Sequence, residues 1–378
     1  MRYLFTGSDR KSFESDSNVS GRYIAFSKYA DEIVAVVPTW RALGLPKSRA
    51  ITDIASVHGT NGFTKIDGFL RTILLLTKFA RTKKYDLIVA RDPFEYGIVA
   101  LIASKLSGVP FVVQLHTDVG SPWFGAGGFG NRVRKIVAPF VCKRAQGIRV
   151  ISNTLRESMI RMQVLPAEKI VLVPPMYSEF LNERTEIPAI TREQNQILIV
   201  SRLEFEKDIS TAFRAIKQVI TKNHAKNIQV QILGKGVEQE SLKMLARELG
   251  IENNIHFRGW IEAPWKLFQS SHVFLQSGLY EGFGMSIVEA YAHGCFCVST
   301  DVGVAPELLS TERDGGICAV KDVDCLSEKI MNALAQPPLS EFEIKARKEK
   351  IEKIIPYKTF EDYAGVFMRY LAGLVQKS

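Results

Sequence analysis

The densest chemistry in the sequence lies in Leu279-Tyr280-Glu281-Gly282-Phe283-Gly284-Met285-Ser286-Ile287-Val288-Glu289-Ala290. Gly282 and Gly284 permit positive φ and close backbone approach at a turn. A helix opening at Met285 would leave free N–H groups facing the turn, a favoured place for a phosphate or a ring of hydroxyls. Glu281 stands at that turn, and Glu289, two helical turns further on, projects from a deeper level. Two glutamates eight positions apart mean little in a chain this rich in Glu. The apolar run His272 to Gln276 before them and the helix to about His293 after them give the pair its weight. The plain alternative is an αβ crossover with one acidic cap.

Arg202 and Lys207 form a second cluster, in Ile199-Val200-Ser201-Arg202-Leu203-Glu204-Phe205-Glu206-Lys207-Asp208-Ile209. Arg202 ends an apolar run and Lys207 opens the next helix, so both can stand over the C-terminal edge of a sheet, where open parallel folds bind ligands. Arg offers phosphate a two-pronged fork and Lys a point charge. Pairing of Lys207 with Glu204 or Glu206 is the alternative. Leu233-Gly234-Lys235-Gly236 is a third turn, weak by itself. His116 ends the run Phe111 to Leu115 and leads into a loop holding Gly120, Gly125, Gly127, Gly128 and Gly130, which such glycines would let move. The six histidines show no metal-ligand spacing, so no metal is expected.

The elements that must position these groups alternate throughout the chain. Strands are expected near 3–6, 33–37, 86–90, 110–116, 148–152 and 170–173. After Pro174-Pro175 and the polar stretch 177–196, a second series falls near 197–201, 228–234, 255–259, 273–276, 295–300 and 317–320. Near-continuous apolar strands separated by helices predict parallel sheets covered on both faces. The division is therefore a first Rossmann-like domain at 1–176, a second at 177–357, and an amphipathic helix within 358–378 that must dock on the finished domains.

At 378 residues, 46% hydrophobic and 24% charged, the chain has globular composition. Its most apolar stretch, Phe69 to Phe79, is broken by Arg71 and Lys78, so no membrane span is expected, and the start reads into a strand without a leader. A soluble, cytoplasmic protein is the expectation. The five cysteines, at 142, 295, 297, 318 and 325, are read as buried reduced thiols. Charge is divided unevenly: residues 1–180 hold 25 Lys and Arg against 14 Asp and Glu, and the remainder 24 against 26. A one-sided basic half suggests an anionic partner, unless its cations are scattered over solvated faces. The segments 66–84 and 132–144 mix apolar and basic residues, and peripheral binding to an anionic membrane surface is one reading of them. The other is that they are sheet-covering helices with cations facing water.

Arg202 with Lys207, Gly234-Lys235-Gly236, and Glu281 and Glu289 around Gly-Phe-Gly together resemble the donor-binding half of family 4 glycosyltransferases. The resemblance is dense over 197–330 and thinner over 86–118 and 145–152. It implies the GT-B fold, two Rossmann-like doubly wound domains facing a cleft, and in most members retention of anomeric configuration. It also implies roles. Arg202 and Lys207 would hold the donor diphosphate, and the backbone of Phe283, Gly284, Met285 and Ser286 would contact sugar and phosphate. Glu281 would face the sugar hydroxyls and Glu289 the ribose, with His116 near the reacting sugar. The implied partners are a nucleotide-sugar donor and a glycan or lipid-linked acceptor, with no metal or other cofactor. One departure is the long polar loop Thr6 to Arg22, where many relatives carry a glycine pair. A sugar-nucleotide epimerase of the same fold is an alternative. So is a basic nucleic-acid-binding protein, although no nucleic-acid module is visible and nucleic acid is not expected as a partner.

Overall fold

The structure is a computed structural model that describes residues 1–82, 84–176, 192–222, 227–261 and 264–376. The chain divides into two compact units, one of Met1–Gly120, Gly128–Met176 and Tyr357–Ser378, the other of Ser121–Gly127 and Tyr177–Pro356. Most of the polar Pro-containing stretch expected between the domains, residues 177–191, lies outside the described residues.

In the first unit the strands are β1 (Arg2–Thr6), β2 (Glu32–Val37), β3 (Ser48–Ala50), β4 (Ala55–Gly59), β5 (Leu87–Ala90), β6 (Phe111–Leu115), β7 (Gly147–Val150) and β8 (Ile170–Leu172). Its helices are α1 (Asn18–Ser27), α2 (Lys65–Thr82), α3 (Glu95–Ser107), α4 (Phe129–Cys142) and α5 (Asn153–Arg161). The sheet order is β3-β4-β2-β1-β5-β6-β7-β8, with Leu4 level with Val34 on one side and Ile88 on the other. Leu4, Val34 and Ile88 are fully buried, as the two-sided cover of a parallel sheet demands. β3 and β4 escape the sequence expectation. β4 is a strand buried at alternate residues only, and β3 pairs with it antiparallel at the sheet edge, so neither shows the continuous apolar run of an inner strand.

The second unit is built from β9 (Glu193–Val200), β10 (Gln229–Leu233), β11 (Ile255–Gly259), β12 (Ser271–Gln276), β13 (Phe296–Thr300) and β14 (Gly315–Cys318), in the order β11-β10-β9-β12-β13-β14 and parallel throughout. Around it lie α6 (Ile209–Lys222), α7 (Gln239–Glu248), α8 (Trp265–Ser270), α9 (Met285–Ala292), α10 (Ala305–Leu308), α11 (Val323–Ala335) and α12 (Glu341–Ile354). The expectation of five reduced thiols is corrected here. Cys318 and Cys325 form a disulfide, while Cys142, Cys295 and Cys297 are free and buried. Cys318 ends β14 and Cys325 lies in the first turn of α11, where the Asp322 carboxylate accepts its N–H. That tight turn brings the two Cα atoms to 5.7 Å, within disulfide reach.

The last helix, α13 (Phe360–Val375), belongs to the first unit. A Thr359/Asp362 capping box starts it, and Phe367 and Tyr363 pack their rings on Phe26 of α1 at 5.3 and 6.1 Å. Each buried aromatic of this kind contributes roughly 2 kcal/mol. The docking place that the periodicity of this helix left unnamed is the face of the sheet covered by α1.

Candidate active site

In each sheet, one gap separates neighbouring strands whose chain connections leave in opposite directions; these gaps are the ligand crevices of open α/β sheets. In the six-stranded sheet it lies between β9 and β12, and the two strongest sequence clusters are the loops that follow those strands. After β9 the chain passes Arg202 and turns through Glu204–Asp208. Asp208 takes a left-handed conformation at φ 43° and its carboxylate accepts from Ser210 and Thr211 hydroxyls, which anchors Lys207 at the head of α6. After β12, the Ser277 hydroxyl donates to the carbonyls of Lys207 and Asp208 at 3.0 and 2.9 Å, and Leu279 N–H donates to Glu206 at 2.8 Å. The two loops are thus sewn together by backbone before any charge is considered.

Across that seam Lys207 pairs with Glu281, both side chains half-buried, and Arg202 pairs with Glu206 at 2.6 Å. Lys207 therefore does not take Glu204 or Glu206, the partners that its sequence neighbourhood offered. Gly284, at φ 95°, stands before α9 in a conformation that L side chains rarely adopt, and Met285 and Ser286 open the helix. Phe283 is buried, and its carbonyl accepts from Val304 N–H at 2.7 Å, which fixes the turn from the β13 side.

Gly234 proves stronger than its sequence signal. At φ 134°, an added Cβ would lie 1.8 Å from the Ser201 carbonyl oxygen, so the loop after β10 can lie against the loop after β9 only as glycine. A cavity of about 490 Å³ lies beside it, lined by Arg202, Gly234, Lys235, Trp260, Pro264 and Glu289 among others. Glu289 thus reaches the same space as Arg202 from α9. Burial alone pushes its carboxyl up to about 7. Trp260, 74% exposed, was missed by sequence reasoning; its only signal is an aromatic residue one position beyond Gly259 at the end of β11. Phe124 was missed as well. It sits in the middle of the glycine-rich loop, yet it is buried in the second unit against Tyr280, ring to ring at 5.6 Å, directly before Glu281. Beside it, Trp123 lies under Lys321 at 4.4 Å.

His116 belongs to the first unit, at the end of β6. Its ring is accessible at the strand end, yet desolvation by the protein around it holds its pKa well below the ordinary value. The charges of Arg149, Arg91 and Arg22 add to that. Arg91 and Arg22 both pair with Asp9 of the long polar loop after β1. Arg149 is buried and donates to Gln114 and to the carbonyls of Val173 and Pro174. Among the described residues no group of three His, Cys, Asp or Glu is placed to hold a metal ion, and no helix is long and apolar enough to cross a membrane.

Comparison with known proteins follows the same division. The model described as glycosyl transferases group 1 matches residues 182–351, and the glycosyl transferase 4-like domain matches 27–176. The chain is 25% identical over 288 residues to an uncharacterized glycosyltransferase of Methanocaldococcus jannaschii, covering 71% of this chain and 72% of that one. It is 23% identical over 307 residues to the UDP-Gal:alpha-D-GlcNAc-diphosphoundecaprenol alpha-1,3-galactosyltransferase of Escherichia coli, covering 75% and 79%. Among solved structures, Anabaena HepE in complex with UDP and glucose superposes with a TM-score of 0.69 at 18% identity, over 98% of this chain and 99% of that one. With both halves matched in chain order and the two doubly wound sheets beneath them, the chain belongs to the family 4-type glycosyltransferases of the GT-B fold.

Proposed function

We propose that the enzyme moves a hexose from a nucleotide-diphosphate sugar to a hydroxyl of a glycan or lipid-linked acceptor, with retention, in surface polysaccharide assembly inside the cell at the inner face of a membrane. The observation that carries this reading is the ion-paired seam at the β9/β12 crevice, Lys207 with Glu281 and Arg202 with Glu206, in front of α9. An arriving diphosphate competes for both cations. Lys207 then shares its charge between phosphate and Glu281, and Glu281 turns part of its accepting capacity to sugar hydroxyls. As the sugar leaves through an oxocarbenium-like state, negative charge grows on the diphosphate. In this reading Arg202, Lys207 and the first N–H groups of α9, at Met285 and Ser286, meet that charge. Charged hydrogen bonds of this kind contribute roughly 1.5–3 kcal/mol each. Because side chains and the helix terminus meet that charge, the proposal assigns no metal or other cofactor.

In the cavity, Gly234 lets the backbone approach the nucleotide, Glu289 accepts from the ribose, and Trp260 offers a face on which a base can stack. Phe283 and Gly284 hold the turn against sugar and phosphate, and His116, on the first unit, serves the reacting sugar. The E. coli relative, named for UDP-Gal and a diphosphoundecaprenol acceptor, supports this choice of donor and acceptor classes. A thermal-shift screen against UDP, GDP, ADP and dTDP tests it, with Arg202→Ala/Lys207→Ala as control. One nucleotide at about 100 times its dissociation constant should stabilise by roughly 2.7 kcal/mol and raise the midpoint by several degrees. The double variant should lose that shift. A shift that survives in the double variant removes these two cations from the donor site.

A further inference from the structure

Residues 121–127 leave the first unit and join the second, although the chain on both sides of them, up to Gly120 and from Gly128, belongs to the first. The excursion is ordered at both ends. Asp118 accepts from the Gly120 N–H at 3.0 Å and from the Ser158 hydroxyl at 2.6 Å, which roots the departing end on α5. Gly128, at φ 120°, turns the returning end into α4 in a conformation that L side chains rarely adopt. In between, Phe124 N–H donates to the Ser121 carbonyl at 3.2 Å and Ala126 N–H to that of Trp123 at 3.0 Å, which closes the segment into a compact turn. It carries no charged side chain, and Phe124 is 4% exposed. The glycines that suggested a mobile loop thus flank an apolar plug.

What the plug rests on is the crevice seam. Its turn Phe124–Gly127 lies against the turn Phe205–Lys207, and the Phe124 ring meets Tyr280 edge to face at 5.6 Å. The two crevice loops differ in what else holds them. The Lys207 turn is tied by the Ser277 hydroxyl to the Lys207 and Asp208 carbonyls, and by the Asp208 carboxylate to Ser210 and Thr211. The Glu281 turn is tied near its ends, by Leu279 N–H to Glu206 and by Val304 N–H to the Phe283 carbonyl. Between those ties stands Tyr280, 6% exposed, with Phe124 as a wall of its ring. Removing that wall opens a void beside Tyr280, and a ring that relaxes into it pulls on the residue joined to it, Glu281. We infer that Phe124 is a positioning residue for Glu281: segment 121–127, from the first half of the chain, completes the sugar side of the donor site and acts on the donor through Tyr280 and Glu281. The plug is braced from its other side by Trp123, which lies under Lys321 at 4.4 Å, in the turn that the Cys318–Cys325 disulfide closes.

The inference rests on the reading that Glu281 serves the donor sugar, and one of its readouts needs no donor at all. In the full chain, Phe124→Ala should speed amide hydrogen exchange across 279–284 at least tenfold and leave β9 and β12 as they are. Affinity for UDP, measured by calorimetry, should stay within twofold, because the Lys207 turn keeps its own anchors. The rate at which UDP-galactose is split with water as acceptor should fall at least tenfold. Phe124→Leu, which refills most of the void, should restore most of that rate. In a Glu281→Ala background, Phe124→Ala should cost less than twofold more, since a residue that works through Glu281 has nothing left to position. Unchanged exchange at 279–284 overturns the inference. So does a loss that multiplies with that of Glu281→Ala, or one in which UDP affinity falls in step with the rate, since Phe124 would then merely hold the second unit together. A parent chain that neither binds UDP nor splits UDP-galactose counts against this donor, and exchange then decides by itself whether Phe124 holds the Glu281 turn.

Discussion

At the edge of the six-stranded sheet, the two crevice cations are each held by a carboxylate, Lys207 by Glu281 and Arg202 by Glu206. At the edge of the eight-stranded sheet, Arg22 and Arg91 share Asp9 beside His116. The first edge holds its cations in exchangeable pairs. Any anion that enters must compete with a carboxylate already in place, which tunes affinity to groups offering several oxygens at once. The second edge keeps an excess of positive charge, in line with the basic balance of residues 1–180, and that excess helps hold His116 neutral at physiological pH. A neutral imidazole can exchange hydrogen bonds with a sugar hydroxyl but adds no charge. The ionic part of the proposed chemistry therefore falls to the second unit.

The sharpest way to break this contrast is Glu281→Ala. If Glu281 both restrains Lys207 and serves the sugar, the variant should lose about 100-fold or more in kcat, as for loss of one preorganised polar contact. Its affinity for the nucleoside diphosphate should stay the same or tighten, because Lys207 no longer has a competing partner. Calorimetric titration beside steady-state kinetics reads both. A parallel fall in affinity and turnover would mean that Glu281 only holds the turn together.

Glycines at the two edges differ in the same way, and a pair of alanine substitutions tests it. Gly234→Ala places a methyl against the Ser201 carbonyl at a φ that disfavours any side chain, and should cost roughly 3 kcal/mol. Gly130→Ala, in the first turn of α4 with open space around its Cβ, should be neutral or stabilise by up to about 1 kcal/mol. Denaturant midpoints would show it, and equal effects would mean that the loop after β10 can shift away from the loop after β9.

These cases also explain what the sequence made legible. The inner strands and the crevice loops were readable because parallel strands bury both faces, and because Arg202, Lys207, Glu281 and Glu289 follow strands at fixed offsets. What escaped depends on contacts distant in sequence. Lys207 takes Glu281 from 74 residues away, and local neighbours gave no hint of it. Phe124 crosses into the second unit's core from a loop whose glycines suggested only mobility. Cys318 and Cys325 pair because a helix cap folds a short turn back, a geometry that composition does not register. Leu70, Leu74 and Leu76 of α2 are alike as apolar residues, and only the packing shows that Leu76 is buried while Leu70 and Leu74 stay exposed.

The smallest expected effect concerns Glu289, whose carboxyl is raised from 4.5 to about 7 by burial beside the cavity. The sign follows from linkage: in the unfolded chain this group loses its proton near 4.5, in the folded chain near 7. Stability is therefore unaffected below the lower value, falls as pH rises through the interval, and carries the whole cost above the upper one. That interval corresponds to at most about 3 kcal/mol, and to about 2 once the solvent reaching the carboxyl through the cavity is allowed for. Glu289→Gln removes the titration. Its melting midpoint should match the parent at about pH 4.5 and exceed it by several degrees at about pH 8, where the parent must hold a buried charge. If the same carboxylate accepts from the ribose, the parent should prefer a ribonucleoside diphosphate to its 2′-deoxy counterpart, and the variant should lose much of that preference. A variant stabilised at high pH whose nucleotide preference is unchanged would separate the two: Glu289 would be a buried acid beside the nucleotide and not its partner.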